Sequence, residues 1–221
     1  MSTRICIAGD NYMSKTKYRK VIFLLLAIWA VFTLAACQKP ARLPVLAKSD
    51  VVVAFGDSIT FGIGAEPRES YPAVLEQMIG RRVVNAGISG EVTAEGLSRL
   101  PQILEQEKPV LLILCHGGND HLRRLNRGQA ADNIREMIRL ARQRGTAVVL
   151  IAVPGFSLSI SPEPMYKEIA KEFKILLEEK TLSDILADNS LKSDLIHPNA
   201  AGYRRLAEAV AALLKKSGAI D

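Results

Sequence analysis

Hydrophobic positions along this chain follow two rhythms. Val51–Phe55, Val110–Cys115 and Ala147–Val153 are apolar at nearly every position and end at glycine or polar residues. Short runs without alternation are what strands buried on both faces look like. Arg82–Asn85 reads as a shorter strand, and a short extended piece falls near Ile185–Leu186. Elsewhere apolar residues recur every three or four positions. Val74, Leu75, Met78 and Ile79 do so within Tyr71–Ile79. Ile134, Met137, Ile138 and Ala141 do so within Gln129–Arg144, and Leu206, Val210, Leu213 and Leu214 within Asn199–Lys216, which stops near Gly218. That spacing puts one apolar stripe on a helix. Thr93–Glu107 and Pro164–Glu179 also read as helices, the first with a kink or break expected at Pro101. Strands alternating with helices of this length predict βαβ units. The fold class is therefore α/β, an open doubly wound parallel sheet of about five strands with helices on both faces. Such sheets bind ligands beyond the carboxyl ends of their strands, so the residues just after each strand are the candidates for function.

Composition adds little for the body and much for the N-terminus. Of 221 residues, 48% are hydrophobic and 24% charged, which excludes collagen-like and wholly disordered classes. The formal charge of +6 points toward nucleic acid until its distribution is considered. Lys15, Lys17, Arg19 and Lys20 precede an uncharged run, Val21 to Ala36, that ends in Leu34-Ala35-Ala36-Cys37. A basic cluster, a short apolar stretch and small residues before a break are the parts of a secretory signal. The run is 16 residues long, short for a membrane-spanning helix, which needs about 20. Cys37 after Leu-Ala-Ala resembles the lipobox of bacterial lipoproteins, with Cys37 lipidated and first in the mature chain; the plainer alternative is a membrane anchor with an incidental cysteine. Met13 offers a second possible start. Removing residues 1–36 takes away five basic residues and one acid, and the net charge falls to +2. No basic block with interleaved aromatics remains, so nucleic-acid binding loses its support. Residues 37–49, with two prolines, read as a lipidated cysteine and tether, and 50–221 as the folded domain. Gln38 lacks the Asp associated with inner-membrane retention in enterobacteria, which by resemblance favours the periplasmic face of the outer membrane.

Four short segments stand where the fold would place a site. Gly56-Asp57-Ser58-Ile59-Thr60 follows the first strand, and Asn85-Ala86-Gly87-Ile88-Ser89-Gly90-Glu91 closes the second. Gly117-Gly118-Asn119-Asp120 follows the third, and Asp194-Leu195-Ile196-His197-Pro198 precedes the last helix. A serine hydroxyl becomes a nucleophile only when a base takes its proton. His197 is the candidate base and Ser58 the candidate nucleophile. Asp194, three residues before His197, is close enough within one turn to orient the imidazole. A tetrahedral oxyanion needs aimed donors, which the Ser58 and Gly90 backbone N–H groups and the Asn119 amide can supply. Each residue has a plainer reading: Ser58 and Asn119 as caps or turn residues, Gly90 as a turn glycine easily confused with Gly87, Asp194 and His197 as a surface pair. Asp57 reads as support for the Ser58 turn and Asp120 as structural. Ser89 lacks the G-x-S-x-G setting of a nucleophile elbow. His116, His121 and Asp120 invite a metal reading, but no third histidine is spaced for zinc. Cys115, inside an apolar run, reads as a buried inert thiol.

Together these blocks, GDSIT, NAGISGE, GGND and DLIHP, resemble those of the SGNH (GDSL-motif) hydrolases, in particular the arylesterase, lysophospholipase and acyl-CoA thioesterase I-like group. The resemblance runs from about Asp50 to the C-terminus. It implies a flavodoxin-like sandwich, a catalytic triad of Ser58, Asp194 and His197, and an oxyanion hole of Ser58, Gly90 and Asn119, with neither cofactor nor metal. The implied substrates are short- or medium-chain acyl, aryl, thio- or lysophospholipid esters, small-molecule or lipid, met at a membrane through the anchor on Cys37. A glycan O-acetyl esterase or acyltransferase of the cell envelope is the second reading it allows. A non-catalytic envelope module on the same fold is the alternative from another class. His116 departs from the apolar residue more usual before the glycines. Specificity is expected from the loops between blocks, with Pro154–Leu158 along the acyl pocket.

Overall fold

A computed structural model describes residues 43–156 and 160–221, all within a compact unit, Ala41–Asp221. The expected signal segment, Cys37 and the first part of the tether lie outside the described residues. Five parallel strands form the sheet: β1 (Val51–Gly56), β2 (Arg82–Gly87), β3 (Leu111–Cys115), β4 (Ala147–Ile151) and β7 (Leu176–Glu178), in the order β2-β1-β3-β4-β7. β5 (Pro154–Phe156) and β6 (Ile160–Pro162) pair antiparallel as a separate ribbon. The chain starts in the middle of the sheet, moves outward to β2, then returns past β1 to β3. This reversal puts the switch point between β1 and β3, and the crevice there opens at their carboxyl ends.

The continuous apolar runs become the inner strands. Val52–Phe55 and Leu111–Cys115 are completely buried, because helices cover both faces. α2 (Tyr71–Ile79) packs against α8 (Ala200–Lys216); α3 (Thr93–Glu107) packs against α5 (Arg127–Gln143), and α5 against α6 (Pro164–Phe173). Helix α8 buries Leu206, Val210 and Leu214, the stripe its periodicity predicts, and Asn199 caps it by accepting the Gly202 N–H at 3.1 Å. Leu46, in the stretch read as tether, is buried in the core; its N–H donates to the Ala219 carbonyl at 2.8 Å.

Three local expectations are corrected. Pro101 does not break α3, which runs unbroken from Thr93 to Glu107 with Leu100 and Leu104 buried against the sheet. Pro164–Glu179 is not one helix. It ends at Lys174 in the left-handed region (φ 50°), and Leu176–Glu178 then pairs with Val149–Ile151 as the edge strand. Ile185–Leu186 is not extended but lies in α7 (Thr181–Ala187), where Leu182, Ile185 and Leu186 share one buried face.

Candidate active site

Two short helices at the switch point carry the first candidate side chains. β1 ends at Gly56, where a Cβ would lie 2.0 Å from the Cys115 carbonyl oxygen of β3, so only glycine allows this approach. The chain then turns at once into α1 (Ser58–Phe61). Asp57 caps it, its Oδ1 accepting the Ile59 N–H at 3.1 Å. This agrees with the supporting role read for Asp57. Burial outweighs the influence of the neighbouring imidazoles and of the Ile59 hydrogen bond and raises its carboxyl pKa. Ser58 is thereby fixed at the mouth of the crevice, 8% exposed.

His197 arrives from the loop before α8. Its Nε2 lies 3.0 Å from Ser58 Oγ, and its Nδ1 lies 2.7 Å from Asp194 Oδ2. The other Asp194 oxygen accepts the N–H groups of Ile196 and His197, both at 2.8 Å. Partial burial opposes the Asp194 charge, but these hydrogen bonds prevail and hold its pKa below the usual carboxylate value. With Asp194 ionised, Nδ1 carries the ring proton and Nε2 faces Ser58 as an acceptor, the tautomer that can take the hydroxyl proton.

On the other side of the crevice stands α4 (Gly118–Leu122), which begins just after β3. Ser58, Asn119 and His197 line one cleft, with Ile59, Leu122, Val153, Leu182, Leu186 and Ile196 supplying apolar wall. Asn119 Nδ2 donates to the Glu91 carbonyl at 2.9 Å; this fixes the amide and leaves it a second hydrogen to offer. Gly90 does not line that cleft. It sits in the turn beside it at φ 80°, a conformation that favours glycine. The Arg123 guanidinium donates to its carbonyl at 2.7 Å, and among the described residues its N–H donates to no backbone acceptor. The structure therefore brings Ser58, Asp194, His197 and Asn119 together and sets Gly90 one residue from the carbonyl that holds Asn119. Val153 lines the cleft, and Pro154 lines an adjoining cavity with Tyr166, Met165 and Ala130. Leu158 lies outside the described residues.

The plainer residues resolve as well. Asp120 is structural: its two oxygens accept the N–H and Oγ1–H of Thr93 at 2.9 and 2.6 Å. Cys115 is fully buried and burial raises its thiol pKa. His116 faces Glu91, not Asp120, and among the described residues no group of three His, Cys, Asp or Glu side chains is clustered as for a metal. Sequence reasoning missed Glu91 and Arg99. Glu91 stands beside a glycine in a polar turn and Arg99 on a polar stretch of helix, yet both side chains turn inward, 4% and 19% exposed. Only the odd His116 hinted at a buried polar partner.

A sheet of this order, with hydroxyl, imidazole and carboxylate in series at its switch point, has the form of a carboxylic ester hydrolase. The chain belongs to the GDSL-like Lipase/Acylhydrolase family, whose model matches residues 54–205. It is 33% identical to the esterase TesA of Pseudomonas aeruginosa over 82% of this chain and 96% of that one. A crystal structure of TesA superimposes with a TM-score of 0.67 at 32% identity, covering 76% of this chain and 99% of the other. The arylesterase of Vibrio mimicus is 30% identical, over 76% of this chain and 90% of its own length. The thioesterase 1/protease 1/lysophospholipase L1 of Escherichia coli K12 is 29% identical, over 69% and 77%.

Proposed function

We propose that this hydrolase works through an acyl-enzyme on Ser58. The observation that carries the reading is the unbroken hydrogen-bond series Ser58 Oγ–His197 Nε2, His197 Nδ1–Asp194. As Ser58 Oγ attacks the ester carbonyl carbon, its proton passes to Nε2, and the carbonyl electron pair moves onto the oxygen. The Ser58 N–H and the free hydrogen of the Asn119 amide are the donors in the cleft for that oxyanion, and the Gly90 N–H, in the turn beside it, is assigned as the third. When the intermediate collapses, the bond to the alcohol or thiol breaks and Nε2 returns the proton to the leaving group. Water then repeats the sequence: Nε2 takes its proton, its oxygen attacks the acyl carbon, and the acid leaves Ser58 reprotonated. Asp194 stays ionised and supports the imidazolium at each stage.

The apolar lining of the cleft suits an acyl chain or an aromatic ring, and the relatives' names (esterase, arylesterase, thioesterase, lysophospholipase) agree with carboxylic and thioester substrates. We take short- and medium-chain acyl, aryl and lysophospholipid esters as the substrate class. We further propose lipid attachment at Cys37, which would hold the domain at the cell envelope, on the periplasmic face of the outer membrane. Hydrolysis of p-nitrophenyl esters graded by acyl length, beside acetate release from acetylated glycans, tests the substrate class. Preference for the glycans would replace it with the O-acetyl esterase alternative. Ser58→Ala abolishes turnover if the mechanism is right. Incorporation of radiolabelled palmitate into the full chain, lost in Cys37→Ser, tests the anchor.

A further inference from the structure

Behind the oxyanion donors lies a buried polar cluster that the proposed mechanism does not use. Glu91 Oε1 accepts Arg99 Nε at 2.5 Å, and Glu91 Oε2 accepts Arg99 Nη2 at 2.7 Å. His116, wholly buried, meets Glu91 Oε2 through Nε2 at 3.0 Å. The Gly117 N–H donates to His116 Nδ1 at 3.0 Å, so Nδ1 is an acceptor and the ring proton sits on Nε2. His116 is then a neutral donor to Glu91. The Arg99 guanidinium also lies 4.0 Å over the Phe55 ring of β1. Burying such charges is costly, and an apolar cluster of the same shape is often as stable. Stability alone does not account for it.

What the cluster joins is more informative. Arg99 Nη2 donates to the carbonyls of Gly56 and Ala86, at the carboxyl ends of β1 and β2. Gly56 stands two residues before Ser58. Glu91 adjoins Gly90, and its own carbonyl holds the Asn119 amide. His116 follows β3 and leads through Gly117 into Asn119. One carboxylate, one guanidinium and one imidazole therefore tie the three strand ends that carry the nucleophile and both further oxyanion donors. We propose that Glu91, Arg99 and His116 are positioning residues that hold Ser58, Gly90 and Asn119 in register for the oxyanion. This rests on the reading of Ser58, Gly90 and Asn119 given above. It also accounts for the unusual His116, which donates to Glu91 from the β3 side.

Oxyanion donors act in the transition state, so loosening them lowers kcat and leaves KM nearly unchanged. A misplacement near 1 Å costs about 10²-fold. The test uses the purified full chain with p-nitrophenyl butyrate, comparing Glu91→Leu, Arg99→Met and the double variant. Each single change strands a buried partner, so both kcat and the unfolding temperature fall. The double variant removes both charges, and its unfolding temperature recovers above that of either single variant. Its kcat stays down by about 10²-fold with KM within about twofold of wild type. Recovery of kcat alongside stability would overturn the proposal, as would single variants that keep wild-type kcat. His116→Gln, which retains a donor toward Glu91, keeps more kcat than His116→Leu; equal rates would also overturn it. This pair does not depend on the double variant folding. Ser58→Ala, run in parallel, separates the two levels: turnover in that variant defeats the mechanism itself, not merely the tie.

Discussion

Replacing Gly56 by alanine adds one methyl group at the seam between β1 and β3. The new Cβ would stand 2.0 Å from the Cys115 carbonyl oxygen and 2.3 Å from Thr60 Oγ1. The hydroxyl can rotate away, but the carbonyl belongs to the backbone of a fully buried strand. To reach even 3 Å the strands must part by about 1 Å, which takes a ladder hydrogen bond near 2.9 Å out of range. Overpacking of this kind costs about 1–3 kcal/mol, and a weakened buried hydrogen bond adds about 1 kcal/mol. The expected loss is about 2–4 kcal/mol, a large share of the 5–15 kcal/mol typical of a domain. Activity suffers beyond stability, since Ser58 hangs from this seam two residues on; a displacement near 1 Å lowers kcat/KM by about 10²-fold. Urea unfolding followed by circular dichroism, with p-nitrophenyl butyrate kinetics at a concentration of folded protein fixed from that curve, measures both. A variant within about 0.5 kcal/mol of wild type, the range of an ordinary surface change, with unaltered kcat/KM would refute the reasoning.

Further expectations concern single side chains. Asn119→Ala removes one of the proposed oxyanion donors and is expected to lower kcat by about 10²–10³-fold with little change in KM; a rise in KM with kcat unchanged would contradict the proposed role. Glu91 is nearly buried, and although burial opposes its charge, hydrogen bonds from His116 and Arg99 hold its pKa below the usual value. Its contribution to stability is therefore complete above the unfolded-state value, about 4.3, and is lost as pH falls through the lower folded value. Urea unfolding between pH 7 and 3 shows a shallower acid loss in Glu91→Gln than in wild type; parallel curves would contradict the assignment. Asp194, likewise held low, stays ionised below the ordinary Asp value of about 3.9, which carboxyl-labelled NMR titration checks directly.

The inner sheet was legible because burial on both faces leaves a plain mark. Val51–Phe55, Val110–Cys115 and Ala147–Val153 are apolar at almost every position, and only a covered strand needs that. The edge strand left no such mark. Leu176–Glu178 is three residues long, too short for a period, and its leucines continue the helical spacing of Pro164–Phe173. The break before it falls on Lys174, which carries no glycine or proline signal. Ile185 and Leu186 were misread for the matching reason: two adjacent apolar residues fit a strand or one helical face, and only Leu182 beneath them decides. Pro101 misled through its general cost to helices, which the packing of Leu100 and Leu104 overcomes. In the site, Ser58, Asn119, Asp194 and His197 were legible since each block pairs its chemistry with turn residues at a strand or helix end. Glu91 and Arg99 were not. Nothing local announces that a charged residue will be buried; that depends on β1, β2 and β3 meeting at one edge.

The most direct test of the whole account is covalent labelling by a fluorophosphonate, with the modified peptide found by mass spectrometry. One adduct per chain is predicted, on Ser58, absent from Ser58→Ala and greatly slowed in His197→Ala. An adduct on another serine such as Ser89, or labelling that proceeds at the wild-type rate without the imidazole, would contradict it.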